Sequence, residues 1–183
     1  MESLIINFFG GPGIGKSTQS SLLYSIMKMN DMDVEITYEF PKLMTWDGNI
    51  SSISDQFYIS ANQHRNISRL YGKVKYIIID SPIILGLYYK DSYNSEYPSK
   101  FYDETFDNFL LTLFKKYNNL NIFLNRSNKN YEEKGRLQGH EESLKIDKEL
   151  KDILIFNEID FIDFDVNEKT SMKIYEYIKG NNL

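Results

Sequence analysis

The chain has 183 residues, 42% of them hydrophobic, with 21 basic and 26 acidic side chains and a formal charge of −5, which bounds it to one compact domain and disfavours tight non-specific nucleic-acid binding. Cysteine is absent and there are two histidines, His64 and His140, which excludes a disulfide framework, a thiolate metal site and a histidine-rich zinc site. MES runs straight into LIINFF, too short and wrongly flanked for a signal peptide, and no apolar run approaches membrane-spanning length, so a cytoplasmic protein with no membrane partner is expected.

In chain order, residues 4–9 form an apolar run ending on a glycine pair and read as a buried strand. Residues 17–29 carry Leu22, Leu23, Ile26 and Met27 at helical spacing. A second strand is expected over 34–38 and a loop over 41–49. A long helix over 52–71 has Ile53, Phe57, Ala61, Ile67 and Leu70 on its apolar face. Residues 76–79 are another buried strand, closed by Asp80 and punctuated by Ser81-Pro82. Residues 88–99 are polar, aromatic and turn-rich, and read as a surface excursion.

Phe106, Phe109, Leu110, Leu113, Phe114 and Tyr117 fit one helix face. A short strand follows over 121–124, then a polar loop over 126–140. Leu144, Ile146, Leu150 and Leu154 fall on a helix. A last strand over 161–164 and a last helix over 172–178 close the chain. Strands alternate with helices throughout. That predicts an α/β fold in a single domain over 1–183, with a mostly parallel sheet of about five strands flanked by helices.

Residues 10–17 read GGPGIGKS and match G-x-x-x-x-G-K-[ST] between a buried strand and a helix. Glycines let several backbone N–H groups converge on phosphate oxygens, and the helix N-terminus adds partial positive charge. Gly11, Gly13, Ile14, Gly15, Lys16, Ser17 and Thr18 are therefore the expected ATP-binding residues. Lys16 supplies a cation for the β- and γ-phosphates, Ser17 a hydroxyl for Mg²⁺, and Thr18 falls within reach of the α-phosphate. Asp80 closes an apolar strand, where a carboxylate orients Mg²⁺-bound water or takes a proton from a substrate hydroxyl. The other reading of Asp80-Ser81-Pro82 is a helix cap.

Glu39 follows the second strand, at the carboxyl end where open parallel sheets bind ligands, and is a candidate base or hydroxyl anchor. Gln56, Gln63 and Asn66 share a helix face suited to a base edge, or form a plain solvated stripe. Arg65 and Arg69 on that helix are candidate contacts to a substrate phosphate, or to water. Arg126, Lys134 and Arg136 sit in a glycine-containing polar loop, the composition of a cationic lid over a triphosphate. The two histidines read as ordinary polar residues.

The arrangement resembles the P-loop nucleoside and nucleotide kinases. More narrowly it is similar to the small ATP-binding proteins related to the ribosylnicotinamide kinase domain of the bacterial NAD regulator, a type many phage genomes encode. The resemblance rests on GGPGIGKST at 10–18, TYEF at 37–40, ISDQFYISANQHR at 53–65, YIIIDSP at 76–82 and the run from Arg126 to Asp147. It implies a P-loop fold of five parallel strands with a small lid over about 126–140, Gln63 near a base-reading position, and Arg126 and Arg136 as lid arginines. Deoxynucleoside kinases follow their strand-end acid with Arg, and thymidylate kinases carry an Asp-Arg pair. Here Asp80 is followed by Ser-Pro, which leaves the acceptor open between nucleoside and nucleotide.

The expected function is transfer of the γ-phosphoryl group of ATP to a nucleoside or nucleoside monophosphate. Two alternatives stay open. One is a kinase acting on a nucleic-acid end or modified base; the net charge counts against it, and the aromatic stretch with Lys90 and Lys100 counts weakly for it. The other is a regulatory P-loop NTPase without a small acceptor. A homodimer is left open.

Overall fold

The structure is a computed structural model that describes residues 2–37, 40, 44, 46, 54–92, 103–126 and 140–183. Five strands, β1 (Leu4–Phe9), β2 (Val34–Thr37), β3 (Tyr76–Ile79), β4 (Asn118–Asn125) and β5 (Ile162–Asp165), form one sheet in the order β2-β3-β1-β4-β5. Every neighbouring pair is parallel, as the strand–helix alternation predicts.

Six helices are found among the described residues: α1 (Lys16–Met29), α2 (Gln56–Leu70), α3 (Gly86–Ser92), α4 (Glu104–Lys115), α5 (His140–Phe156) and α6 (Thr170–Gly180). A 3₁₀ turn at Ile83–Leu85 leads into α3. The pleat sends alternate side chains to opposite faces. Leu4, Ile6 and Phe8 of β1 pack with Leu23 and Met27 of α1 and Ile174 and Ile178 of α6. Ile5 and Phe9 pack on the other side with Ile67, Leu110, Phe114, Leu150 and Leu154, from α2, α4 and α5. The result is a three-layer α/β/α sandwich with a core on each side of the sheet.

An amide cluster interrupts the second core. Asn7 in the centre of β1 is 1% exposed, and its Nδ2 donates to the Oδ1 atoms of Asn119 and Asn121 on β4 at 2.9 and 3.0 Å. Asn121 Nδ2 in turn donates to Asp160 O, and Asn119 Nδ2 to Phe114 O and Tyr117 O. A slip in the β1–β4 register would unpair buried Asn7 and Asn121 and half-buried Asn119, so the cluster specifies pairing where aliphatic side chains alone tolerate a shift.

Helix faces account for most differences from the sequence expectation. The predicted apolar face of α2 included Phe57 and Ala61, but both are exposed, and the buried face is Gln56, Ile59, Ser60, Gln63 and Ile67. The helix begins at Gln56 rather than near residue 52, because Asp55 is extended and its carboxylate caps Tyr58 N–H at 3.0 Å. Leu22, Phe109, Leu144 and Met172 are also exposed. Each sits at the edge of a stripe whose centre is buried, where counting at helical spacing cannot tell margin from middle.

The expected surface excursion from residue 88 is in part α3, with Leu87 buried and Lys90 Nζ bridging to both carboxylate oxygens of Asp107 on α4 at 2.6 and 2.7 Å. Residues 93–99 of that excursion, Lys100 and the anticipated 41–49 loop, apart from 44 and 46, lie outside the described residues.

Candidate functional site

All five strands run the same way, so their carboxyl ends share one edge. From that edge β1 enters the loop at Gly10, β3 leads to Asp80, β4 to Arg126 and β5 to Val166. Val166 N–H donates to Asn125 O at 3.0 Å, which seats the turn after β5 against the end of β4.

The loop from β1 to α1 has the backbone that its sequence requires. Gly15, the N-cap of α1, has φ +102°, a conformation that favours glycine, and a Cβ built there meets only Val166 Cγ1 at 3.8 Å. No side chain caps this helix and no acidic residue lies in its first turn, so its N–H groups stay available to an anion. Lys16 Nζ folds back to donate to Gly10 O at 2.7 Å and Gly11 O at 3.1 Å. Gly13, Ser17 and Lys16 are partly exposed, Thr18 is exposed, and Gly11 and Ile14 are buried, Ile14 packing among the α1-side core residues.

Gly11 is held for a second reason, close approach. Its N–H donates to Asp147 Oδ1 at 2.5 Å, and a Cβ built on it falls 2.7 Å from that oxygen and 2.9 Å from Ser143 O. Arg126 completes the contact: its Nε donates to Asp147 Oδ2, and its Nη2 to Pro12 O at 2.6 Å. The side chains of Arg126 and Asp147 are 12% and 17% exposed. Arg126 was expected as a lid residue; here it packs on the phosphate loop itself. Asp147 closed the run of the family resemblance but was no candidate. Its signal in the sequence is weak, a carboxylate on a helix face otherwise lined by Ser143, Ile146 and Leu150.

Asp80 is 3% exposed and directly follows β3. Ile79 pairs with Asn7, so Asp80 comes level with Phe8 as β1 approaches the loop. The 3₁₀ turn that follows takes Pro82, two residues further on, as its N-cap. Gln63, 9% exposed, donates its Nε2 to both Ser81 O and Ser81 Oγ at 3.1 Å. Gln56 (3% exposed) and Ser60 line the same face, next to Gly86. Gln63 is therefore buried against the end of β3 and Gln56 beside Gly86, which excludes the solvated reading for these two, while Asn66 is half-buried.

Arg65 and Arg69 are exposed. Arg65 lies two residues, or roughly 200°, round the helix from Gln63, so the structure does not bring it to the strand ends. His64 Nδ1 pairs with Tyr117 OH at 2.9 Å, a contact of α2 with the turn before β4. Glu39, Arg136, Lys134 and residues 127–139 of the anticipated lid lie outside the described residues.

Sequence reasoning also missed a buttress behind the loop. Gln19, 5% exposed in the first turn of α1, donates to Asn167 O at 3.2 Å. Ser171 Oγ of α6 donates to Gln19 Oε1 at 2.5 Å and lies 2.9 Å from Gln19 O. The start of α1 is thereby fixed to the β5–α6 turn.

A family model described as an AAA domain matches residues 5–170. Over 101 residues the chain is 32% identical to a thymidylate kinase of Dehalococcoides mccartyi, a match covering 49% of this chain and 47% of that protein. The chain thus spans about half the length of the curated relative it matches. Among solved structures, the thymidylate kinase of Ehrlichia chaffeensis superposes with a TM-score of 0.59 at 15% identity, covering 98% of this chain and 100% of that one. A deoxyadenosine kinase of M. mycoides with bound dATP gives 0.56 at 21% identity, again over 98% and 100% of the two chains. At those identities the likeness is one of fold.

Proposed function

We propose, on the premise that this chain belongs to the AAA domain family, that it transfers the γ-phosphoryl group of ATP to a nucleoside or nucleoside monophosphate. The observation that carries this reading is the pairing of two features at one sheet edge: a glycine-lined loop with an uncapped helix N-terminus, and a buried Asp80 beside a buried amide face. A bare switch needs the first. The second supplies hydrogen-bonding groups and a carboxylate for an acceptor.

In this reading Gly11, Gly13, Ile14, Gly15, Lys16, Ser17 and Thr18 hold the triphosphate, with backbone N–H groups and the α1 N-terminus opposing its charge. Lys16 leaves the Gly10 and Gly11 carbonyls to meet β- and γ-oxygens. The Ser17 hydroxyl and Asp80 carboxylate are oxygen ligands of the kind Mg²⁺ takes; when bound, that ion neutralises charge on the β- and γ-phosphates. Asp80, or Glu39 beyond β2, accepts the proton of the acceptor hydroxyl. The acceptor oxygen bonds to γ-phosphorus as the bridge to the β-phosphate breaks, and ADP leaves. Gln63 and Gln56 face the acceptor, and Arg136 belongs to a lid over about 126–140 that excludes water. We read residues 1–183 as one domain working in the cytoplasm, where ATP is supplied.

The test is transfer of labelled γ-phosphate from ATP·Mg²⁺ to deoxynucleosides, deoxynucleoside monophosphates, nicotinamide riboside and oligonucleotides. The similarity to ribosylnicotinamide kinases puts the third on the panel. Label on one small acceptor is expected. Label on an oligonucleotide supports the nucleic-acid alternative, from which the Lys90–Asp107 ion pair already withdraws a cation. Free phosphate with every acceptor untouched supports a regulatory NTPase.

A further inference from the structure

We propose that Arg126 and Asp147 are a positioning pair for the phosphate loop, and that Arg126 acts through Asp147 and Pro12 rather than by reaching the transferred phosphoryl group. The proposal rests on the phosphotransferase reading above. Asp147 takes the Gly11 N–H, Arg126 takes the Pro12 carbonyl, and the two side chains take each other. Before nucleotide binds, Lys16 also donates to the Gly10 and Gly11 carbonyls, so Gly11 is then restrained at both its N–H and its C=O. Two consecutive residues of the loop are thus set by side chains from α5 and from the residue that follows β4, both distant in sequence.

Charge gives the pair a signature. A carboxylate hydrogen-bonded to the phosphate loop disfavours a bound polyanion unless a cation cancels it. Arg126 is that cation. Removing it leaves a mostly buried, uncompensated Asp147 beside the triphosphate. Removing the Asp147 charge as well, while keeping an acceptor for Gly11 N–H, relieves the repulsion. Arg126→Ala should therefore be rescued by Asp147→Asn. An arginine that touches the γ-phosphate directly cannot be rescued in this way.

The experiment compares the full chain with Arg126→Ala, Asp147→Asn and the double variant. ATP·Mg²⁺ dissociation constants are measured by calorimetry, kcat and KM by γ-phosphate transfer, and thermal midpoints without nucleotide. Lys16→Ala is the control for the triphosphate site. Arg126→Ala is expected to weaken ATP binding about tenfold or more, and the double variant to recover most of that loss, a coupling of the size seen for contacting residues. Where Arg126→Ala does not fold, Arg126→Gln, which also removes the cation but keeps a polar side chain of similar reach, with and without Asp147→Asn runs the same cycle.

A double variant that binds ATP as weakly as Arg126→Ala overturns the pair. So does a fall in kcat alone, with ATP affinity unchanged. Wild-type protein that binds no ATP, or a Lys16→Ala variant that binds as well as wild type, overturns the phosphotransferase reading instead, and the pair's role with it.

Discussion

Gln63 Nε2 donates to both the carbonyl and the hydroxyl of Ser81, at 3.1 Å each. This joins the middle of α2 to the residue after Asp80, so the helix expected to read the acceptor also sets the peptide that presents the candidate base. Gln63→Leu should cost about 1–3 kcal/mol of stability, because the Ser81 hydroxyl and carbonyl lose a buried donor. It should also lower kcat/KM for the acceptor while leaving the ATP dissociation constant unchanged. Urea unfolding and steady-state kinetics check the two parts. A parallel loss of ATP affinity would contradict the separation of the two subsites.

Lys16 donates to the Gly10 and Gly11 carbonyls at the partly exposed mouth of the loop. Lys16→Ala should leave the protein folded, at a cost of about 1–3 kcal/mol for the two loop carbonyls that lose their donor. Phosphoryl transfer should fall by at least about 100-fold, the scale of losing a preorganised charge at a transferring phosphate. Circular dichroism and labelled transfer measure both in one preparation. A folded variant that still transfers phosphate at the wild-type rate would sink the assignment.

Gly11 and Gly15 should fail to tolerate alanine for different reasons. At Gly11 the added Cβ collides with Asp147 Oδ1 and the Ser143 carbonyl, so Gly11→Ala should push α5 off the loop and weaken ATP binding about tenfold. At Gly15 there is room but φ is +102°, so Gly15→Ala should cost about 1–2 kcal/mol through backbone strain. Gly180→Ala, with nothing within 4 Å of the added Cβ, is the neutral control. Titration calorimetry and thermal melts distinguish the three.

Asn7→Leu removes the shared donor from Asn119 and Asn121 in the middle of the sheet. The acceptor left behind on buried Asn121, with a smaller share from half-buried Asn119, should cost about 1–3 kcal/mol. Chemical denaturation gives the value. A variant as stable as wild type would show that the cluster is not needed to hold β1 against β4.

Asp103 caps α4 by accepting Thr105 N–H at 2.9 Å, which holds its carboxyl below its ordinary value of 3.8. A group whose pKa is lowered on folding contributes stability above its unfolded pKa and loses it as pH falls through the folded value. The denaturation midpoints of wild type and Asp103→Ala should therefore differ by a constant amount at neutral pH. They should converge below about pH 4.

Much of this protein is legible in its sequence. Strands alternating with helices admit few arrangements, and β1 and β3, apolar and buried on both faces, fall on the residues that hydrophobicity marks out. The phosphate loop is a local motif: eight consecutive residues carry its own backbone requirements, so no distant contact is needed to recognise it.

What only the tertiary structure decided are contacts between residues far apart in the chain. Asp147 meets Gly11 across 136 positions, and Ser171 meets Gln19 across 152. Neither pair leaves a periodic trace. The inward face of α2 was likewise hidden, because amides look solvent-bound in a helical pattern until something buried is present to bond them. Ser81 is that partner, and only the packing of α2 against the end of β3 brings it within reach of Gln63. Hydrophobic spacing is encoded locally and survives in the sequence. Satisfaction of buried polar groups is a property of the folded neighbourhood, and it is there that this site is assembled.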